Sequence, residues 1–478
     1  MSRLFECLEA NASSDMYPLH MPGHKRRPWG KLSAGLYESD ITEIDGFDNL
    51  HQPNGILLEL QKEAACLYGA EKSYYLINGS TGGILSAVSA ALPLEGHILM
   101  ARNCHKSVYH AAYLRRLTVS YLMPPLLQEY DICEGVTPEQ VSIALEEEPD
   151  IQTVIIVSPT YEGRIANVRE IAKVVHEKGI PLIVDEAHGA HLGLAKGFHE
   201  NSCQAGADLV IHSVHKTLPA LTQSALLHVC GNLIHTDLLE RFLHIYQSSS
   251  PSYLLTAGID NALSYVKKDG EKLFADFAER YFHMRKELEF CRNLHFPSLD
   301  AERQDLGKLV ISVKGTGLTG KDLHDILVRK YHLQPEMAAE SYVLAMFTVN
   351  DSQEGYDRLV HALREIDAGL LYAEKCADTE SMDKAFIAGH DAGEQEISLA
   401  AAWDMETEEI PVRECAGRYA GEFISLYPPG IPLLVPGERI TEDVAAEICR
   451  FHGEGLTVQG ISTRAGGIEI RVLVDQEG

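Results

Sequence analysis

Three short β-branched runs, at 153–157, 181–184 and 209–211, recur at intervals of roughly 25–30 residues with helical or turn-rich crossovers between them. That rhythm builds βαβ units and restricts the chain to an α/β fold with a mainly parallel sheet. Such a sheet is buried on both faces, so polar groups collect at the carboxyl edge of its strands. All three runs end that way. The first leads into Ser158-Pro-Thr-Tyr-Glu-Gly163, the second into Asp185-Glu-Ala-His188, the third into His212-Ser-Val-His-Lys216. Lys216 then has two readings. It is a solvated surface lysine, or a desolvated one shifted towards the neutral amine and able to form a Schiff base.

The upstream chain bears on that choice. A helix is expected over 55–68 with Gly69 as its cap, then a strand over 73–77. The strand runs into Asn78-Gly-Ser-Thr-Gly-Gly83 and a small-residue helix over 84–92. Strand, Gly/Ser/Thr turn and helix start form a phosphate-binding arrangement, with Ser80, Thr81 and the backbone at Gly82 as donors. It is neither a Walker loop nor a dinucleotide fingerprint. A further strand at 98–101 ends in Arg102-Asn-Cys-His-Lys-Ser107, where His105 reads as a stacking platform, a base or a satisfied polar residue.

Downstream, a long helical region is followed by a second α/β unit: strand 308–313, helix 321–331, strand 342–349, helix 356–372. Residues 374–410 are acidic and aperiodic, a surface excursion. A Pro-rich apolar segment, 427–438, a helix over 442–452 and paired strands close the chain. The 478 residues divide as an N-terminal arm 1–50, a large domain 51–265, linker helices 266–305 and a small domain 306–478. A net charge of −28 argues against nucleic acid and suits a cationic small substrate, although plain solubility also explains it. The ten cysteines are scattered without a C-x-x-C pair, which reads as reduced and cytoplasmic. No apolar run reaches the roughly 20 residues of a membrane helix, and no signal-peptide core is present.

A phosphate turn, an acid at a strand end, a lysine at the neighbouring strand end and a histidine able to lie over a ring match what pyridoxal 5'-phosphate (PLP) requires. The phosphate wants hydroxyls and a helix dipole, the pyridine nitrogen a carboxylate, the aldehyde a lysine. The rival is a metal-dependent hydrolase using Asp185, His188 and His191, with His105 and His110 in reserve. It leaves Lys216 and the phosphate turn unexplained, so the expected metal set is none.

His20-Met-Pro-Gly-His-Lys25, Asp45-Gly-Phe-Asp-Asn-Leu-His51, Asn78-Gly-Ser-Thr-Gly-Gly83, Arg102-Asn-Cys-His-Lys-Ser107, Ser158-Pro-Thr-Tyr-Glu-Gly163, Val184-Asp-Glu-Ala-His-Gly-Ala-His191, Ser213-Val-His-Lys216 and Tyr427-Pro-Pro-Gly-Ile-Pro432 resemble, in order and over almost the whole chain, the bacterial Orn/Lys/Arg decarboxylases. The resemblance implies a fold-type I, aspartate-aminotransferase-like large domain, a smaller α+β C-terminal domain, and a homodimer, or a higher oligomer, with shared active sites. The chain looks like the short form without a wing domain. Val214 stands where the family often has Thr, Gly83 where Asn is common, and basic bulk follows His24.

The resemblance implies Lys216 as Schiff-base lysine, Asp185 on the pyridinium, His105 stacked on the ring and Ala187 on its other face. It places Ser80, Thr81, Gly82 and Ser213 at the phosphate, His188 beside the cofactor, and His215 as a proton-transfer candidate. Ser249 and Ser250, in the 248–250 stretch, reach the neighbouring subunit's phosphate. The expected reaction is decarboxylation of a basic amino acid, arginine before lysine and ornithine, feeding polyamine synthesis. Glu438, with Asp45 and Asp48 behind it, is the candidate for the substrate's cationic end. An aminotransferase on the same fold is the alternative.

Overall fold

The computed structural model describes residues 15, 17–19, 48–300, 303–370, 397–427, 431–464 and 467–474. Its centre is a seven-stranded sheet. In spatial order the strands are Lys72–Leu76, Ala225–Val229, Leu209–His212, Leu182–Asp185, Thr153–Val157, His97–Ala101 and Thr118–Leu122. Only Ala225–Val229 runs against its neighbours. The pairs from Leu209–His212 out to Thr118–Leu122 are all parallel. The three runs that set the rhythm are therefore adjacent, and their carboxyl ends share one edge. Thr118–Leu122, with its half-exposed alternation, was not expected from the sequence.

The crossovers obey helix periodicity. Val168–Glu177 buries Val168, Ile171, Ala172 and Val175, one stripe at i, i+3, i+4 and i+7. Ile56–Tyr68 ends in left-handed Gly69, as the sequence implied. The small-residue helix begins earlier than expected, at Gly79, so the Gly/Ser/Thr turn is its first turn. Gly83 lets that helix lie close on the sheet. A Cβ there would sit 2.6 Å from Leu76 Cδ1 and 3.3 Å from Ile211 Cγ2.

The long helical region is one helix, Tyr253–Leu288, of 36 residues. It starts well before 281, and the expected boundary at 265/266 falls inside it. Its buried stripe continues without a break from Ile259 through Val266, Phe274 and Tyr281 to Leu288. Beyond it, Lys308–Ser312, Tyr342–Met346 and Met337–Ala338 form a small antiparallel sheet. Leu309, Ile311, Val343 and Leu363 of this unit join the same hydrophobic core as the large sheet. Residues 407–473 build a second core around Val412, Ile424, Ile448 and Val472. The span 306–478 thus contains two packing units. Of the acidic excursion, Leu399–Asp404 is helical and Thr407–Pro411 pairs with Gly467–Leu473; residues 371–396 lie outside the described ones.

Most of the N-terminal arm also lies outside the described residues. Its strand Tyr17–Leu19 pairs in parallel with Leu333–Pro335. The chain start is thereby tied to the unit that follows the long helix.

Candidate active site

Asp185 is the last residue of its strand, and Lys216 lies in the single turn Val214–Thr217 that follows the next strand. Because the strands are parallel neighbours, both side chains meet at one edge. Lys216 Nζ lies 3.0 Å from His188 Nε2. Desolvation pushes the Lys216 ammonium down to about 8, opposed by the charges of Asp185 and Glu336. Desolvation also holds His188 neutral, well below the usual imidazole range. The neutral Nε2 then accepts from Lys216, and the buried Nδ1 has no hydrogen-bond partner. The solvated-surface reading of Lys216 is set aside.

Asp185 is buried and accepts one backbone N–H, from Ala187, at 3.1 Å. Burial raises its carboxyl above the ordinary range, while Lys216 pulls it back. His105 caps the helix Lys106–Arg115 by accepting the Ser107 amide on Nδ1 at 3.2 Å. That bond leaves the ring proton on Nε2. Burial, helped by Lys216, pushes His105 down to about 3, so it is a neutral flat ring. His215 Nδ1 donates to the Ser224 carbonyl at 2.9 Å, which makes Nε2 its basic nitrogen.

The phosphate end is equally visible. Ser213 Oγ and Thr217 Oγ1 are buried without a hydrogen-bond partner. Ser80 is half-buried and Thr81 exposed on the first turn of Gly79–Ala91, whose N-cap Asn78 makes no side-chain cap bond. That turn is tied to the lysine segment: the Gly79 amide donates to the Gln223 carbonyl at 3.0 Å. Gly82 is buried, and a Cβ on it would meet Asn78 Cβ at 3.2 Å. Ala187 is buried beside Asp185.

Other expected residues fall elsewhere. Ser249 and Ser250 are exposed in the single chain. Asp45 lies outside the described residues. Asp48 is a backbone clamp: its carboxylate takes the amides of Asn49, Asn54, Gly55 and Leu57 at 2.8–3.0 Å. Glu438 is buried against Arg102 at 3.2 Å, and its Oε2 also accepts the Val435 amide at 2.8 Å. His191, weighed as a metal ligand, is held by Asp305 at 2.8 Å, apart from the His188–Lys216 contact. Two residues join the site that sequence reasoning did not single out. Tyr161 sets its ring edge-on to His188, centroids 4.6 Å apart, and donates its hydroxyl to Glu336. Tyr161 stood in a loop already placed beside the lysine; Glu336 carried no local signal.

The fold is fold type I of the PLP-dependent enzymes. Lysine decarboxylase A of Pseudomonas aeruginosa superposes over 99% of this chain and 80% of its own, with a TM-score of 0.76 at 19% identity. A more distant likeness is the ureidoglycine–glyoxylate aminotransferase of Bacillus subtilis, with a TM-score of 0.55 at 13% identity over 67% of this chain and 87% of its own. By sequence, the Orn/Lys/Arg decarboxylase major domain matches residues 2–303 and the C-terminal domain of that family matches 383–452. The chain belongs to the Orn/Lys/Arg decarboxylase family. It is 32% identical to an arginine decarboxylase of Bacillus subtilis over 96% of this chain and 95% of that one. It is 30% identical to an arginine decarboxylase of Halalkalibacterium halodurans over 96% and 94%. The constitutive lysine decarboxylase of Escherichia coli is further away, 23% identical over 89% and 73%.

Proposed function

We propose that this protein is a PLP-dependent decarboxylase that converts a basic amino acid, arginine before lysine or ornithine, into its amine and CO2. Agmatine is the product from arginine. One observation carries the reading: a desolvated lysine, with its ammonium near 8, beside a buried carboxylate on adjacent parallel strand ends. The arginine preference rests on the relatives, since the arginine decarboxylases match at 30–32% identity and the lysine enzyme at 23%.

The residues present fit PLP. The orphaned hydroxyls of Ser213 and Thr217, with Ser80, Thr81 and the helix start at Gly79, form an acceptor for a phosphate. When bound, PLP supplies an aldehyde for the substrate amine and a protonated ring that draws the electrons released as CO2 departs. The protein does the rest. Asp185, buried and acceptor-only when ionised, holds the ring-nitrogen proton. His105 offers a neutral face, and Ala187 is small enough to pack opposite. His188 orients Lys216, whose depressed basicity supplies neutral amine near pH 8. His215, with Nε2 as its basic nitrogen, and Lys216 are the groups that return a proton to the substrate carbon.

Shared sites in a homodimer, a cytoplasmic location and a role in polyamine synthesis belong to the same reading. The exposure of Ser249 and Ser250 suits residues that act on a neighbouring subunit. No described helix is long and apolar enough to cross a membrane.

The test is an absorption spectrum of the PLP-loaded protein, followed by CO2 release from arginine, lysine and ornithine separately. A visible band bleached by borohydride, plus CO2 from arginine, is the expected outcome. A coloured protein that releases no CO2 from any of the three overturns the decarboxylase and moves the reaction to transamination. A protein that PLP never colours overturns the Lys216 assignment.

A further inference from the structure

The residue that recognises the basic side chain follows from the same contacts, and this inference rests on the decarboxylase reading. A substrate whose amine reaches Lys216 must place its cationic end one side-chain length away. A guanidinium or ammonium there needs a carboxylate, because an unpaired buried charge is costly. Glu438 is engaged by Arg102 and the Val435 amide, and Asp48 by four amides. Asp185 lies at the strand end, where it serves the cofactor ring. Glu336 stands differently. From Lys216 the contacts run 3.0 Å to His188, then ring to ring at 4.6 Å to Tyr161, then through the phenol to the Glu336 carboxylate. Glu336 is thus one tyrosine's length beyond the lysine's partner. It sits between Leu333–Pro335 and Met337–Ala338, half-buried. After Asp185 it is the carboxylate whose charge most favours the ammonium form of Lys216. A field that favours a cation on the lysine also favours one on the substrate.

We propose that Glu336, held in direction by the Tyr161 hydroxyl, receives the cationic end of the substrate side chain and sets the preference for basic amino acids. A carboxylate has about four acceptor directions, of which Tyr161 takes one, and two parallel bonds to a guanidinium suit arginine better than lysine. Tyr161 acts as a positioning residue through Glu336.

The experiment measures binding of agmatine and of its uncharged counterpart pentylamine-urea, the decarboxylated form of citrulline, to the PLP-loaded protein by calorimetry, without turnover. Glu336→Gln should weaken agmatine binding by about 10- to 100-fold, as expected for a lost bond to a charged group. The urea should bind the variant as it binds the wild type. With arginine as substrate, KM should rise far more than kcat falls. Tyr161→Phe keeps the charge and should give the smaller loss. Equal agmatine affinity in Glu336→Gln and wild type overturns the proposal. Should that variant fail to fold, Glu336→Asp keeps the charge on a shorter stem, and an unchanged preference for agmatine over the urea overturns it equally. The two readings fail separately. A wild type that releases CO2 from arginine while Glu336→Gln binds agmatine normally loses only this assignment; a wild type that releases none loses the decarboxylase.

Discussion

The two faces of the strands Leu182–Asp185 and Leu209–His212 treat buried polarity in opposite ways. Side chains alternate across a sheet, so Asp185 and Ile211 share one face while Glu186 and His212 share the other. On the second face every partner is found. Glu186 accepts the amide and hydroxyl of Ser202 and lies 2.6 Å from His212 Nε2. His212 Nδ1 meets His228 Nε2 at 3.1 Å, and His228 Nδ1 meets Ser73 Oγ at 2.6 Å. Tyr68 stacks on both histidines at 4.7 Å. On the first face Ser213 Oγ, Thr217 Oγ1 and His188 Nδ1 are buried and unmatched. Buried polar groups are ordinarily paired, so the unmatched face is the one built for a ligand. Two residues adjacent in sequence therefore do different work, Asp185 in chemistry and Glu186 in holding the sheet together.

Variants can break that contrast. The largest effect should come from the ligand face: Lys216→Ala should cut CO2 release at least ~1000-fold, and Asp185→Asn ~100-fold or more, with urea midpoints close to wild type. Retention of near-normal turnover by either would dissolve the distinction. On the opposite face, Glu186→Ala leaves Ser202 and His212 without their acceptor and should cost about 2–4 kcal/mol in urea unfolding. Gly83→Ala pushes a methyl against Leu76 and Ile211 and should cost about 1–3 kcal/mol by the same measurement. The smallest effect is in pH. Burial raises the Glu186 carboxyl to about 8, against an ordinary 4.5. Between those values the folded protein holds a proton that the unfolded chain has released, so stability falls as pH rises towards 8 and is fully present below 4.5. Glu186→Gln, which stays neutral, should flatten that slope in denaturation midpoints taken from pH 6 to 8. On the ligand face the sign for reactivity is opposite. Reaction of Lys216 with pyridoxal in the cofactor-free protein should rise with pH to a midpoint near 8 rather than 10.5, read by mass spectrometry after borohydride.

Much of this was legible because the information is local. Thr153–Val157 and Ala225–Val229 were readable as β-branched runs, and the 28-residue step from 181 to 209 carried the parallel order. Asp185, Lys216 and His105 follow such strands directly, so strand and side chain come in one motif. What was not legible depends on distant partners. Nothing around Glu336 announces that Tyr161, 175 residues earlier, will point it towards the lysine. Nothing around Glu438 announces Arg102, so an apparently available acid was read as a substrate contact. The helix Tyr253–Leu288 was seen only in its later part because Gly258, Gly270 and polar residues dilute its beginning, whereas tertiary burial of Ile259, Ala262 and Leu263 carries it.

The Arg102–Glu438 pair has a consequence for the chain during its synthesis. Arg102 ends up enclosed by Tyr109, Tyr121, the carbonyls of Pro432 and Leu433, and Glu438. At a ribosome speed of ~5–20 residues per second, the 336 residues separating the two charges take roughly 20–70 s to appear. For that interval the large domain carries a guanidinium between two tyrosines whose acid does not yet exist. A nascent chain can thus complete its central sheet and still display a sticky cationic aromatic patch, a handle for chaperones and a hazard for neighbouring polysomes alike.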